Sequence, residues 1–219
     1  MVKIISFDLD GTITKSTYAD FVWLEGLPKI YAQEKGIKIQ QAIQYLKKEY
    51  DKIGENKAEW YDLEYWFNRF NIRYKWKKLL EDYRHAIEIY PEVPSVVRRL
   101  FKQFDLIIIS NAKREFIEIQ LEEIKLRKYF TLVFSSTSDF NKIKKVADFY
   151  LMICKKIGIN PNEMIHIGDH KEFDYQIPNN MGIKSFYLNR KKTTKGEFMV
   201  NDLNEFEQII NTQFSATFK

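Results

Sequence analysis

The sequence predicts an α/β fold: a parallel sheet with helices on both faces, interrupted after its first strand by an all-helical segment. Three observations lead there. From residue 95 onward, short apolar runs alternate with segments of helical period, as parallel strands and their crossover helices do. Residues 15–90 break that alternation directly after the first apolar run, with apolar residues at helical spacing and few strand signals. Three apolar runs end in polar or acidic residues, and in an open α/β sheet such ends form the carboxyl edge where ligands bind.

Taken in order, the first strand is the run Val2-Lys3-Ile4-Ile5-Ser6-Phe7, which leads through Asp8-Leu9-Asp10-Gly11-Thr12 into a tight loop. Helical spacing then covers 18–35, 39–53, 57–70 and 75–89, punctuated by Gly26, Pro28, Gly36 and Gly54. Pro91 and Pro94 mark the return to the sheet pattern. Helices are expected at 95–103, 113–125, 143–157, 175–181 and 203–210, and strands at 105–109, 129–134, 163–167 and 184–188. The strand at 105–109 ends at Ser110-Asn111, and that at 163–167 at Gly168-Asp169, with Asp174 following. This divides the chain into a sheet domain, 1–14 with 91–219, and an inserted helical domain, 15–90, lying over the sheet's carboxyl edge.

Composition narrows the function classes. The chain has 219 residues, 45% of them hydrophobic, enough for one α/β domain with a modest insertion. The single cysteine, Cys154, excludes an internal disulfide framework and fits a reducing, cytoplasmic setting; it lies in an apolar helical stretch as a packing residue. No apolar run approaches the ~20 residues that span a bilayer, and no N-terminal signal segment precedes the first strand. A net charge of +5 favours anionic substrates but is too small and dispersed to argue for nucleic acid. The basic run Arg190-Lys191-Lys192, with Lys195, reads as a solvated loop. His166 reads as an internal strand residue, His170 as a rim residue and His85 as a surface residue. Tyr18, Phe21 and Trp23 either line an entrance or build the insertion's core. Trp60, Tyr61, Tyr65, Trp66, Phe67 and Phe70 suit that core, or else a homodimer interface.

The chemistry begins with Asp8 and Asp10. Two carboxylates crowded at a strand end repel each other, and a divalent cation such as magnesium is the usual compensation. A calcium loop is excluded, because no third oxygen ligand and closing Glu follow at the required spacing. If the three polar strand ends converge, carboxylates, a hydroxyl and backbone donors meet at one edge, a set suited to phosphoryl transfer.

In order and spacing, these motifs resemble the haloacid dehalogenase superfamily, in its phosphatase branch, over the full chain. Asp8-Leu9-Asp10-Gly11-Thr12 matches the first motif, Ser110 the second, and Gly168-Asp169 with Asp174 the fourth. The insertion resembles that family's helical cap, and the sheet its Rossmann-like core. The resemblance implies a magnesium-dependent phosphatase acting on a small phosphorylated metabolite. Asp8 would be the nucleophile and Asp10 the general acid–base. Asp8, the Asp10 backbone carbonyl and Asp169 would hold Mg2+. Ser110, with the backbone at Leu9 and Asn111, would bind the phosphoryl group. A lysine would neutralise nucleophile and phosphate. Lys144 best fits the family spacing, with Lys145 and Lys142 as rivals, because the expected Lys-Pro pair is missing from Asn141-Lys142-Ile143-Lys144-Lys145-Val146. Asp174 would orient that lysine or support the metal, or else is an acid favouring a helix N-terminus. Asp10 favours ester hydrolysis over dehalogenation, since an alkoxide leaving group needs a proton and a halide does not. A phosphomutase, a dehalogenase and a catalytically silent binding protein on the same fold are the alternatives.

Overall fold

The computed structural model describes residues 2–54, 57–143, 145–192 and 196–214. Strand β1 (Ile4–Phe7) leads into α1 (Thr17–Asp20), a wide π-helical turn (Phe21–Gly26), α2 (Leu27–Lys35), α3 (Ile39–Ile53), α4 (Leu63–Arg69) and α5 (Trp76–Asp82). The sheet pattern resumes with α6 (Val93–Leu100), β2 (Asp105–Ser110), α7 (Arg114–Glu123), β3 (Leu132–Ser135), α8 (Ser136–Phe140), α9 (Ala147–Ile157) and β4 (Met164–Gly168). A second π-helical turn (Lys171–Gln176), α10 (Ile177–Asn180), β5 (Lys184–Leu188), β6 (Met199–Val200) and α11 (Leu203–Gln213) follow.

All strand pairs are parallel, in the order β3-β2-β1-β4-β5-β6. The chain builds outward from β1 in one direction, then returns to β1's other side with β4. The reversal makes the carboxyl ends of β1 and β4 the switch point, where such sheets open a crevice. Ile4 aligns with Asp105 on one side and Met164 on the other, so the ends of β1, β2 and β4 finish nearly level.

The strands are apolar on both faces because both are covered. Ile5, Phe7, Leu106, Ile108, Ile165 and Ile167 pack with α6, α7 and α11. On the opposite face, Ile4, Ile107, Ile109 and Met164 pack with Phe149, Tyr150, Ile153 and Cys154 of α9. The pleat's alternation turns Ser6 and His166 away from the Ile5/Phe7 face. A third cluster belongs to the helical insertion: Tyr18, Val22, Leu27, Leu46, Trp66, Phe67, Phe70, Leu79 and Leu80, joined by Phe116 and Ile119 of α7. Helix α7 therefore serves two cores, with Ile117 and Leu121 facing the sheet. The chain enters and leaves the insertion side by side, where Lys15 N–H donates to the Glu88 carbonyl at 2.8 Å and Thr14 bridges Ile89.

Several elements differ from the sequence expectation for local reasons. The stretch 18–35 is helical throughout but widens at Phe21–Gly26 before Pro28, which lacks the N–H to continue a regular ladder. The strand expected at 129–134 begins only at Leu132, behind a 3-10 turn at Arg127–Tyr129. The helix expected from 143 begins at Ala147, because Val146 is extended (φ −89°, ψ 169°). The two-residue β6 and the one-turn α8 are too short to leave a periodic signal.

Arg190 overturns the solvated-loop reading at its own position. Its guanidinium donates to the carbonyls of Gly11 at 3.1 Å and Thr12 at 2.7 Å, pairs with Glu92 at 2.8 Å, and stacks 3.4 Å over the Tyr90 ring. It clamps the loop after β1 from the loop after β5. Lys195 lies outside the described residues. Removing these bonds while keeping an apolar stem, in Arg190→Met, is expected to lower unfolding free energy by about 2 kcal/mol in a urea titration.

Candidate active site

The loop after β1 is wound around one carbonyl. Leu9 C=O accepts from the N–H groups of Thr12 (3.2 Å), Ile13 (2.8 Å) and Thr14 (3.0 Å), and the Leu9 side chain is fully buried in the core. This pins the loop and leaves Asp8 and Asp10 to flank it. Gly11 has φ +83°, and a Cβ there would collide with the Asp169 carboxyl. Only glycine lets the loops after β1 and β4 touch.

A buried lysine joins the same two loops. Lys145 Nζ donates to Asp8 Oδ1 at 2.6 Å, pairs with Asp174, and lies 3.3 Å from the Ile109 carbonyl. Burial opposes its charge, but Asp174 and Asp8 overcome this and raise its pKa above the ordinary value. Asp174 is likewise held below the carboxylate range: burial works against ionisation, and Lys145 with His166 outweighs it. Asp174 also accepts from His170 N–H at 3.0 Å and lies 3.1 Å from His166 Nε2. His166 Nδ1 faces Ser6 Oγ at 2.8 Å. A neutral His166, favoured by burial, can accept from Ser6 at Nδ1 and donate to Asp174 from Nε2.

Asp8 is pushed well above the carboxylate range by burial and by its acidic neighbours, with Lys145 only partly compensating. Its second oxygen accepts from Thr12 Oγ1 at 3.2 Å. Asp169 stands at the exposed mouth of the site, yet surrounding protein atoms and Asp174 raise its pKa to about 6. Carboxylate oxygens of Asp8, Asp169 and Asp174 lie within 4.8 Å of one another. Hard oxygen donors at this spacing, two of them short of positive charge, can hold a divalent cation. Asp10 is raised to about 6 by burial, offset in part by Gln120, whose Nε2 donates to its Oδ1 at 3.1 Å. Gln120 is itself held by Thr14 Oγ1 at 2.7 Å.

Of the residues expected from sequence, Asp8, Asp10, Ser110, Asn111, Asp169 and Asp174 gather at this edge, with the Leu9 backbone between the first two. Ser110 Oγ accepts from Ala112 N–H at 3.1 Å, and Asn111 Oδ1 accepts from Ser136 Oγ at 3.2 Å. Lys144 lies outside the described residues. The lysine that reaches the carboxylates is its neighbour Lys145, while Lys142 points to the surface and pairs with Asp148. Asp174 is buried and paired with Lys145, and it also lies in the first turn of the Lys171–Gln176 segment, so the lysine-orienting and helix-start positions coincide in one side chain. Tyr18 is core, its hydroxyl donating to the Leu80 carbonyl at 3.1 Å, as are Trp66, Phe67 and Phe70. Trp23 lines the crevice, with Phe21 outside it against Tyr83. His85 is exposed, and His170 stacks on Phe173 at the rim. Sequence reasoning missed Gln120 and the Ser6–His166 pair. For Ser6 and His166 the signal was a polar residue inside an apolar strand run; Gln120, on a mixed polar and apolar helix, left none.

An open parallel α/β sheet with carboxylates and a buried lysine gathered at its switch point defines a class of hydrolases. Residues 5–188 match the family described as haloacid dehalogenase-like hydrolase, and the chain belongs to that family of enzymes. The GMP/IMP nucleotidase YrfG of Escherichia coli K12 is 20% identical over 168 residues, 77% of this chain and 74% of that protein. A HAD phosphatase from Thermococcus onnurineus superposes with a TM-score of 0.80 at 23% identity, covering 95% of this chain and 98% of its own. A 2-haloacid dehalogenase from Pseudomonas syringae pv. Tomato DC3000 superposes with a TM-score of 0.68 at 18% identity, covering 96% and 98%. Among the described residues, no helix is long and apolar enough to cross a membrane.

The geometry separates the lysines. Lys145→Met strands two buried carboxylates and is expected to destabilise the fold by about 3–5 kcal/mol in chemical denaturation. Lys142→Ala, at an exposed pair, is expected to leave the denaturation midpoint unchanged.

Proposed function

We propose that this hydrolase is a magnesium-dependent phosphatase that hydrolyses a small phosphorylated metabolite through an aspartyl-phosphate, with the residues 15–90 acting as a cap over the sheet domain. The observation that carries this reading is Asp10, a second carboxyl beside Asp8 with its pKa raised to about 6 by burial. A group that is part protonated near neutral pH can give a proton and take one back. Carbon–halogen cleavage has no use for such a donor, because halide leaves unprotonated. The nucleotidase among the curated relatives fits the same choice.

Asp8 attacks phosphorus, and the ester oxygen leaves with the proton of Asp10. Asp10, now ionised, takes a proton from water. That water attacks the acyl-phosphate, inorganic phosphate departs, and Asp8 is restored. Lys145 favours the ionised form of Asp8 against the burial that opposes it and fixes its direction, and Asp174, tethered by His166 and the His170 N–H, fixes Lys145. Ser110, with the Leu9 and Asn111 backbone, receives phosphoryl oxygens. Asp8, the Asp10 carbonyl and Asp169 would hold Mg2+, which when bound neutralises charge on the phosphoryl group. The insertion shields the acyl-phosphate from bulk solvent and selects the leaving group.

Phosphate release from a generic aryl phosphate tests this reading. Asp8→Asn and EDTA are each expected to abolish it, with Mg2+ restoring the EDTA-treated protein. An Asp8→Asn protein with full turnover would remove the nucleophile assignment. The proton donor is tested by pH. The Gln120 amide stabilises ionised Asp10, so Gln120→Leu raises the Asp10 pKa. For alkyl phosphates, the descending alkaline limb of kcat/KM is expected to move to higher pH in Gln120→Leu. p-Nitrophenyl phosphate, whose leaving group needs little protonation, is expected to show a smaller displacement.

A further inference from the structure

The crevice continues beyond Asp10 and Asn111 into a cavity of about 380 Å³ beneath the insertion. Its walls carry five rings, Trp23, Tyr50, Trp60, Tyr61 and Phe116, beside smaller apolar side chains. The Trp23 and Phe116 planes are parallel within 2°, with centroids 6.3 Å apart. Tyr50 stands edge-on to Trp23 at 6.1 Å and across from Trp60 at 5.9 Å. The charged groups on this lining are Asp10 at the catalytic end, Asp20, and Lys113, which pairs with Asp62 at 2.7 Å.

One observation points to an occupant independently of the ring walls. The Tyr50 hydroxyl is buried and finds no hydrogen-bond partner among the described residues. Buried hydroxyls are nearly always paired, and an unpaired one on a residue that lines a ligand-sized cavity requires an explanation. We propose that this cavity receives a planar aromatic ring with a polar edge, carried on the leaving group of the phosphate ester, stacked on the Trp23 and Phe116 wall and hydrogen-bonded by Tyr50. The proposal rests on the phosphatase reading for where the ring is attached. Its recognition chemistry stands on the cavity alone.

Flat aromatic walls favour flat ligands, because offset and edge-to-face contacts need a complementary ring, and stacking is tolerant of which ring it is. Two leaving-group families share this chemistry. In one the ring is separated from the phosphate by a sugar, as in a nucleoside 5′-monophosphate. In the other it is one carbon away, as in a pyridoxine-type phosphate. An aliphatic sugar phosphate offers hydroxyls to Tyr50 but no ring face to the aromatic wall.

The test compares kcat/KM for the four common ribonucleoside 5′-monophosphates and pyridoxine 5′-phosphate against ribose 5-phosphate, with Mg2+ present. In parallel, quenching of tryptophan emission by the same compounds is measured in EDTA on Asp8→Asn protein. At least one ring-bearing ester is expected to exceed ribose 5-phosphate tenfold or more and to quench saturably. Which family wins identifies the spacer. Tyr50→Phe is expected to cut that preference at least threefold, while the thermal midpoint of the ligand-free protein holds or rises because an unpaired buried hydroxyl has been removed. A merely structural Tyr50 would lower the midpoint and leave the preference intact. Equal turnover of ribose 5-phosphate and every ring-bearing ester would overturn the inference and leave the phosphatase reading standing. Saturable quenching without phosphate release from any ester would do the reverse. Neither quenching nor release would overturn both.

Discussion

A single ammonium group, Lys145, holds the catalytic edge together. It is almost wholly removed from water and lies between carboxylates from two loops 166 residues apart in the chain, Asp8 after β1 and Asp174 after β4. Neither carboxylate could be buried alone, since an isolated buried charge is far more costly than a paired one. Burial first, and then the surplus of carboxylates over one lysine, make Asp8 and Asp169 resist ionisation, while Lys145 and His166 together outweigh burial at Asp174. The same surplus of carboxylates suits the site to a divalent cation. Behind the lysine, His166 and Ser6 extend the network into the sheet, fixing Asp174 by hydrogen bonds inside a rigid layer. Precision at the surface of the site is thus inherited from the strands beneath it.

Much of this was legible in the chain itself. Apolar runs ending in Asp8, Ser110 and Gly168-Asp169 announce buried strands with reactive tips, because a strand covered on both faces is mainly apolar until it stops. Parallel pairing then brings those tips to one edge. The insertion was legible for the complementary reason: four consecutive helical periods cannot belong to a sheet. What escaped was whatever depends on a distant partner. Spacing cannot choose among Lys142, Lys144 and Lys145, because the choice turns on Val146 being extended and the helix starting at Ala147, which directs one neighbour inward. Arg190 sits in a run of like charges that composition assigns to solvent. Its real environment is two carbonyls and a tyrosine ring brought from the first loop. Gln120 looks like an ordinary polar position on an amphipathic helix until both faces of α7 are seen to be covered.

That double burial gives α7 its place in the design. Phe116 and Ile119 face the insertion, Ile117 and Leu121 face the sheet, and Gln120 between them reaches Asp10. The helix is rigid because both sides are packed, so the Gln120 amide beside Asp10 is fixed relative to the Phe116 ring that lines the cavity. On the proposed reading, leaving-group recognition and leaving-group protonation share one element.

The contact at Gly11 has a consequence for how such an enzyme diversifies. No side chain fits between the first loop and Asp169, so inheritance at the carboxylate end is confined to a hydrogen atom. The rings around the cavity carry no such restriction. They come from the insertion and α7 and pack against one another, away from the loops after β1 and β4. Lineages built on this scaffold can therefore drift in what they accept while the bond they break stays the same.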